Sequence, residues 1–289
     1  MAYDRAAETL GNIVHLEHVN TRVPDQRLAT VFYISGLGLT RDPYLMTGIE
    51  NMWVNVGRSQ FHLPTGAPQR VRGVTGLVLP DRAALRARLD AVAGHLAGTA
   101  FAVHETAAYI EAVSPWGNRI RCHAPSPAFG AIQLGMPYVA FMVPPGAAAG
   151  IARFYREIIG ALADSGSDEE GVFARVRVGG DQALLFRETE APPDPFDGHH
   201  VQIYINDFGG PYRQLQERGL ITEESDQHQY RFETLLDPQT GKPLFTIEHE
   251  VRSLRHPLYA RALVNRNPAQ TNLRYAPGRD ALPWSQPAG

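Results

Sequence analysis

Hydrophobic and polar positions alternate with a period of two at four places along the chain. From His200 to Ile205, Val201, Ile203 and Ile205 alternate with His200, Gln202 and Tyr204. That pattern predicts a strand with the three polar side chains on one face. The same form occurs at His18 to Asp25 and, without histidine, at Val74 to Asp81 and Tyr138 to Pro145. Helical spacing follows each strand: Leu28, Val31, Phe32 and Ile34; Leu85, Leu89 and Val92; Ile151, Phe154 and Ile158; and a stretch from about Asp207 to Arg218. Short strands come next, at Asn51 to Val56 and Ser59 to Leu63, at Phe101 to Val103, Tyr109 to Val113 and Arg119 to His123, in a hairpin through Gly179-Gly180-Asp181, and at Gln229 to Leu236 and Pro243 to Val251. Asp164 to Glu170 reads as an acidic, solvated loop. Strand, helix, then strands, entered four times, is an internal repeat, and it predicts an α+β fold of four βαβββ modules. The Pro- and Gly-containing connector Ala124 to Pro137 is the expected boundary between a domain at 1–125, holding modules one and two, and a domain at 137–251, holding modules three and four. The stretch 252–289, rich in Pro, Asn and Arg, is expected to be an irregular tail.

Composition narrows the class without changing this picture. With 44% hydrophobic and 20% charged residues the chain is globular rather than disordered. A net charge of −3 speaks against nucleic-acid binding through bulk attraction. The single cysteine, Cys122, leaves no internal disulfide and fits a reducing compartment. No apolar leader follows Met1, and no apolar run approaches the length of a membrane span. A cytoplasmic protein with no membrane or nucleic-acid partner is expected; a homo-oligomer is left open.

Two of the four repeat copies carry histidine at the start of the first strand, His18 and His200, and two do not. Strand starts of the form His-Val-x-x-x-Val-x-Asp and the turn Asp237-Pro238-Gln239-Thr240-Gly241 resemble the vicinal oxygen chelate superfamily, the group of glyoxalase I and the extradiol dioxygenases. The resemblance covers residues 13 to 251. It implies that modules pair into cupped mixed sheets, each able to hold a divalent metal, with ligands from the first and last strands. The first-strand position falls on His18, Val74, Tyr138 and His200; the last-strand position falls on His62, Arg121, Leu184 and Glu248. Copies two and three thus lack ligands, and one site requires modules one and four to share a cup. That pairing resembles the hydroquinone ring-cleaving branch and implies His18, His200 and Glu248 as ligands of Fe(II), with a small aromatic substrate and dioxygen as partners. Two imidazoles and one carboxylate form the facial triad that leaves positions open on Fe(II). Zn, Ni, Co or Mn are the other metals the resemblance allows.

Several assignments stay open on the sequence. Glu250 shares a strand face with Glu248, and the offset from Gly241 falls nearer Thr246 than either. His62 reads equally as a ligand, which would suit a Zn, Ni or Co isomerase or lyase, and as a group beside the metal that contacts substrate. Asn20, Gln202 and Tyr204 share the faces of His18 and His200 and are candidates to hold substrate oxygens; Tyr230 is a further candidate whose facing the pattern leaves ambiguous. His15, His199 and His249 are expected to face away from the site, and Arg121 and His123 to be packing or surface groups. A non-catalytic protein that holds a small ligand in the cup is the remaining alternative.

Overall fold

The computed structural model describes residues 4–43, 50–191, 194–261 and 263. Four modules follow one another, each a strand, a helix and three strands. The first contains β1 (Ile13–Asn20), α1 (Gln26–Ala29), β2 (Thr40–Arg41), β3 (Asn51–Val56) and β4 (Ser59–Pro64). The second contains β5 (Gly73–Val78), α2 (Arg82–Val92), β6 (Ala102–Glu105), β7 (Ile110–Val113) and β8 (Arg119–His123). In the third are β9 (Gly135–Val143), α3 (Ala148–Phe154), β10 (Ala163–Asp168), β11 (Gly171–Arg177) and β12 (Ala183–Glu188). The fourth has β13 (His200–Ile205), α4 (Gly209–Glu217), β14 (Ile221–Asp226), β15 (Gln229–Leu236) and β16 (Pro243–Ser253).

Aspartate recurs at the strand-to-helix turn because it satisfies free N–H groups of the first helical turn. Asp25 accepts from the N–H groups of Arg27 and Leu28, Asp81 from Ala84, and Asp207 from Gly210. The apolar rows Leu85, Leu89, Val92 and Ile151, Phe154, Ile158 are buried as their spacing predicts. Among the described residues no helix is long and apolar enough to cross a membrane.

Among the described residues sixteen strands form two mixed sheets of eight. One runs β14-β15-β16-β13-β1-β4-β3-β2 and the other β10-β11-β12-β9-β5-β8-β7-β6. Modules one and four therefore share a sheet, as the two histidines require, and modules two and three share the other. The joins are antiparallel: β1 with β13, and β5 with β9. Each sheet takes one module from either side of the connector, whose last three residues already belong to β9. A single buried apolar cluster spans both sheets. In the second sheet Gly76, which pairs with Tyr138, leaves the space that the Tyr138 ring fills. Introducing histidine there, as Val74→His or Tyr138→His, is expected to leave the metal occupancy of the first sheet unchanged, as metal analysis of the purified variants would check; increased occupancy would contradict the pairing.

The three strands that sequence reading passed over, β2, β10 and β14, lie at sheet edges. Asp164 to Asp168, expected as loop, pairs with β11, and only the turn beyond it is irregular. Ala163–Asp168 and Ile221–Asp226 are exposed along nearly their whole length, so no alternation marks them, and their charges suit an edge that must not pair with another chain. The expected irregular tail begins two residues later than 252, after β16. Residues 254–261 then fold back over the first sheet in successive turns; residues 262 and 264–289 lie outside the described residues.

Candidate metal centre

The register of the first sheet relates its two halves by a local two-fold axis through the Val19–Val201 pair. Across the join His18 pairs with Gln202 and Asn20 with His200. In the parallel neighbours His18 pairs with Gln60 and Asn20 with His62, while His200 pairs with Glu248 and Gln202 with Glu250. His18 thus corresponds to His200, Asn20 to Gln202, Gln60 to Glu248, and His62 to Glu250. The last-strand partner equivalent to His62 is therefore Glu250, not the Glu248 that the sequence resemblance implied. The reason is register: the two glutamates share a face, and only the β13–β16 pairing separates them.

His18, His62 and His200 converge, each offering a ring nitrogen within 4.8 Å of the others, and could hold a metal ion. The Nε2 atoms of His18 and His200 face each other at 3.4 Å. Two nitrogens about 2.0–2.1 Å from one shared ion must lie within about 4.2 Å of each other, so the pair fits such an ion. The opposite ring nitrogens are held by carboxylates: His18 Nδ1 by Glu17 at 2.9 Å, and His200 Nδ1 by Glu248 at 3.0 Å. A carboxylate only accepts, so each Nδ1 carries the hydrogen and, in the neutral ring, each Nε2 presents its lone pair to the site. Glu250, 3% exposed, lies on the Nε2 side of His200, 3.4 Å away. Its carboxylate also accepts from Arg231 at 2.6 Å and is ion-paired with Arg252 at 2.6 Å.

Electrostatics keep His18, His62 and Glu250 in ligating form and favour the protonated form of His200. Burial lowers the pKa of His18 and holds that of His62 well below the usual imidazole range. Burial also works against a charged His200, but the carboxylates of Glu248 and Glu250 outweigh it and raise its pKa in the metal-free protein. Glu17 is pushed down to about 2, because its hydrogen bond with His18 and the charge of Arg252 overcome its burial. Arg252 and His200 likewise hold Glu250 well below the carboxylate range against the effect of burial.

His62 is engaged on both ring nitrogens, Nδ1 with the Asn20 amide at 2.6 Å and Nε2 with Asn51 Oδ1 at 2.7 Å. Its ring stacks on Trp53 with centroids 3.8 Å apart. Gln202 sits between His18 and Glu250 on the same sheet face. It is fully buried, and neither amide atom has a hydrogen-bond partner among the described residues. Tyr204 is buried further along that face, with its ring edge-on to Tyr259 at 4.9 Å.

Tyr230 does not join them. It pairs with Val251 and packs on Phe208 and Tyr212 on the helix side, so Gln229 and Arg231 are the residues of β15 that face the site. His15, expected to face away, lies on the site's side, paired and stacked with Tyr204, because a bulge interrupts the alternation of β1 between Leu16 and His18. His199 and His249 do face away, on Asp197 and Tyr155 respectively. Arg121 pairs with Glu111 and His123 bonds the Tyr138 hydroxyl, both in the second sheet. Sequence reading missed Glu17, Trp53, Arg231 and Arg252. Arg252 keeps strict alternation with Glu248 and Glu250 and was legible; Arg231 required the facing of β15, and Glu17 required knowledge of the bulge.

No family model matches the chain, and no curated protein matches it. Solved structures do. Glyoxalase I from Zea mays superposes with a TM-score of 0.58 at 13% identity, over 83% of this chain and 92% of that one. A "putative dioxygenase" from Bacillus subtilis superposes with a TM-score of 0.55 at 17% identity, over 84% of this chain and 86% of that one. The fold is the vicinal oxygen chelate fold.

Within that vicinal oxygen chelate framework the cup of modules one and four is, among the described residues, the one that gathers a group of histidines able to hold a metal ion. Residues 258–261 roof part of it. Arg261 reaches Asp42 at 2.7 Å and Gln60 at 3.2 Å. Between this roof and the floor made by Gln60 and Tyr204 lies a cavity of about 230 Å³, also lined by His15, Glu17 and Arg58.

Proposed function

We propose that this protein is a metal-dependent vicinal oxygen chelate enzyme that holds Fe(II) with His18, His200 and Glu250 and cleaves the ring of an aromatic diol or hydroquinone-like substrate with dioxygen. The observation that carries the metal reading is the pair of facing Nε2 atoms, each oriented by its own carboxylate, with Glu250 beside them. A bound Fe(II) would act as Lewis acid and template for substrate and dioxygen. The remaining residues have roles that need no assumption about the ion. The unpaired amide of Gln202 offers one acceptor and two donors to a substrate oxygen. Neutral His62 would take up a proton from a substrate hydroxyl at Nδ1 once the Asn20 amide releases that nitrogen, while Asn51 keeps the ring in place through Nε2. Trp53 stacks on one face of that ring.

A second reading, a Zn, Ni or Co isomerase or lyase, is supported by the two-fold equivalence of His62 and Glu250, which makes four symmetry-related donors. It requires His62 to give up one of its asparagine partners. Protein purified without oxygen, analysed for metal and then offered catechols and hydroquinones, separates the readings. One iron per chain and oxygen uptake with a ring diol support the dioxygenase. A bound Zn, Ni or Co and no oxygen uptake support the isomerase or lyase. His62→Ala is expected to keep most of the metal while lowering turnover by roughly 10²–10⁴-fold, the range for loss of a general base. Metal loss equal to that of His200→Ala would make His62 a ligand.

A further inference from the structure

The bulge in β1 determines where Glu17 points. Val19 and Leu16 face the core, opposite Val201 and Ile203, while His18 pairs with Gln202 and His15 with Tyr204. One residue, Glu17, is left over between Leu16 and His18. In an uninterrupted strand residue 17 would oppose Ile203 on the apolar side. As the extra residue it turns its carboxylate to His18 Nδ1 instead, at 2.9 Å, with Arg252 Nη1 at 3.4 Å.

A bulge leaves backbone groups without ladder partners, and here they are satisfied from the other sheet. Gln182 immediately precedes β12. Its Oε1 accepts from Leu16 N–H at 3.1 Å, and its Nε2 donates to Leu16 C=O at 3.1 Å. The side-chain amide thus pairs with Leu16 as a neighbouring strand would. Oε1 also lies 3.0 Å from His15 Nδ1, and Nε2 lies 3.0 Å from both Ser59 Oγ and Met136 O. Ser59 Oγ donates to Leu16 C=O at 2.8 Å. Gly179 makes room for this side chain: a Cβ there would lie 2.7 Å from Gln182 Oε1.

We propose that Gln182 is a positioning residue for the candidate metal centre: reaching across from the sheet that lacks ligands, it holds the β1 bulge that sets Glu17 on His18. The proposal rests on the metal reading above. Through it the second pair of modules bears on the site.

The test uses the full chain and Co(II) as the probe, with affinity read by competition against a chromophoric chelator and geometry read from the visible spectrum of the bound ion. Gln182→Ala is expected to weaken Co(II) binding by roughly 10–100-fold, the range for loss of a group that orients a ligand, and to alter the spectrum. Glu17→Gln should do the same, and the double variant should bind no more weakly than Glu17→Gln alone, because both act through one contact. Asn118→Ala removes a buried amide that pins Val71 N–H and Gln69 C=O elsewhere. It should lose stability with Co(II) affinity unchanged. If Gln182→Ala fails to fold, Ser59→Ala, which removes the hydroxyl donor to the same Leu16 carbonyl, is expected to weaken binding in its place. Wild-type affinity retained in the foldable variant, or additive losses in the double variant, would overturn the proposal while leaving the metal reading intact. Absence of Co(II) binding by the wild type would overturn both.

Discussion

His200→Ala is expected to give a folded chain that purifies without its divalent metal and has no measurable turnover. His200 contributes one of the two facing Nε2 atoms, is tied to both Glu248 and Glu250, and sits on the join between modules one and four. Removing it leaves one oriented imidazole and one carboxylate, too few to hold a labile ion against water. The loss should lie well beyond the roughly 10–100-fold that removal of an outer orienting group costs. Metal content of wild type, His62→Ala and His200→Ala, prepared identically without oxygen, reads this directly. Full occupancy in His200→Ala would remove the centre from this cup.

The second large effect separates two glutamates one strand period apart. Glu250→Gln should abolish metal binding, whereas Glu248→Gln should retain it with affinity lowered by roughly 10–100-fold. Glu248 holds His200 Nδ1 from outside, and its side chain is 16% exposed; Glu250 faces Nε2 and is 4% exposed. Glu250→Gln also leaves the guanidinium groups of Arg231 and Arg252 without their shared buried carboxylate. Breaking such a pair costs about 3–5 kcal/mol, so thermal unfolding of the metal-free variant must be measured alongside. The expected result is metal loss in protein that is still folded at the temperature of the assay. The reverse order, with Glu248→Gln losing the metal and Glu250→Gln keeping it, would restore the glutamate that the sequence resemblance implied.

The module order and the pairing of the outer modules were legible because they rest on periodicity and on which repeat copies carry histidine. His18 and His200 could be named from those copies alone. The choice between Glu248 and Glu250 was not legible, since both alternate correctly along β16 and the turn at Gly241 does not fix how that strand aligns with β13. His15 was misplaced and Glu17 missed for one reason: the bulge between Leu16 and His18 breaks the alternation that a regular strand would give, so His15 turns to the side of His18 and Glu17 is left unpaired. Gln182, which bonds Leu16 beside the bulge, is far away in the sequence and precedes a strand of the other sheet. Tyr230 was misassigned because facing in β15 depends on where the preceding turn ends, and here the turn leaves Gln229 and Arg231 toward the site. The edge strands were missed because a strand exposed on both faces needs no alternation.

X-ray absorption at the edge of the metal that co-purifies with the wild-type chain, prepared without oxygen, tests the central claim most directly. The expected result is one divalent ion per chain, iron by preference, with two imidazole ligands and the remainder oxygen donors. A chain that carries no stoichiometric metal under these conditions, or an ion whose first shell contains no imidazole, would contradict a centre built from His18, His200 and Glu250.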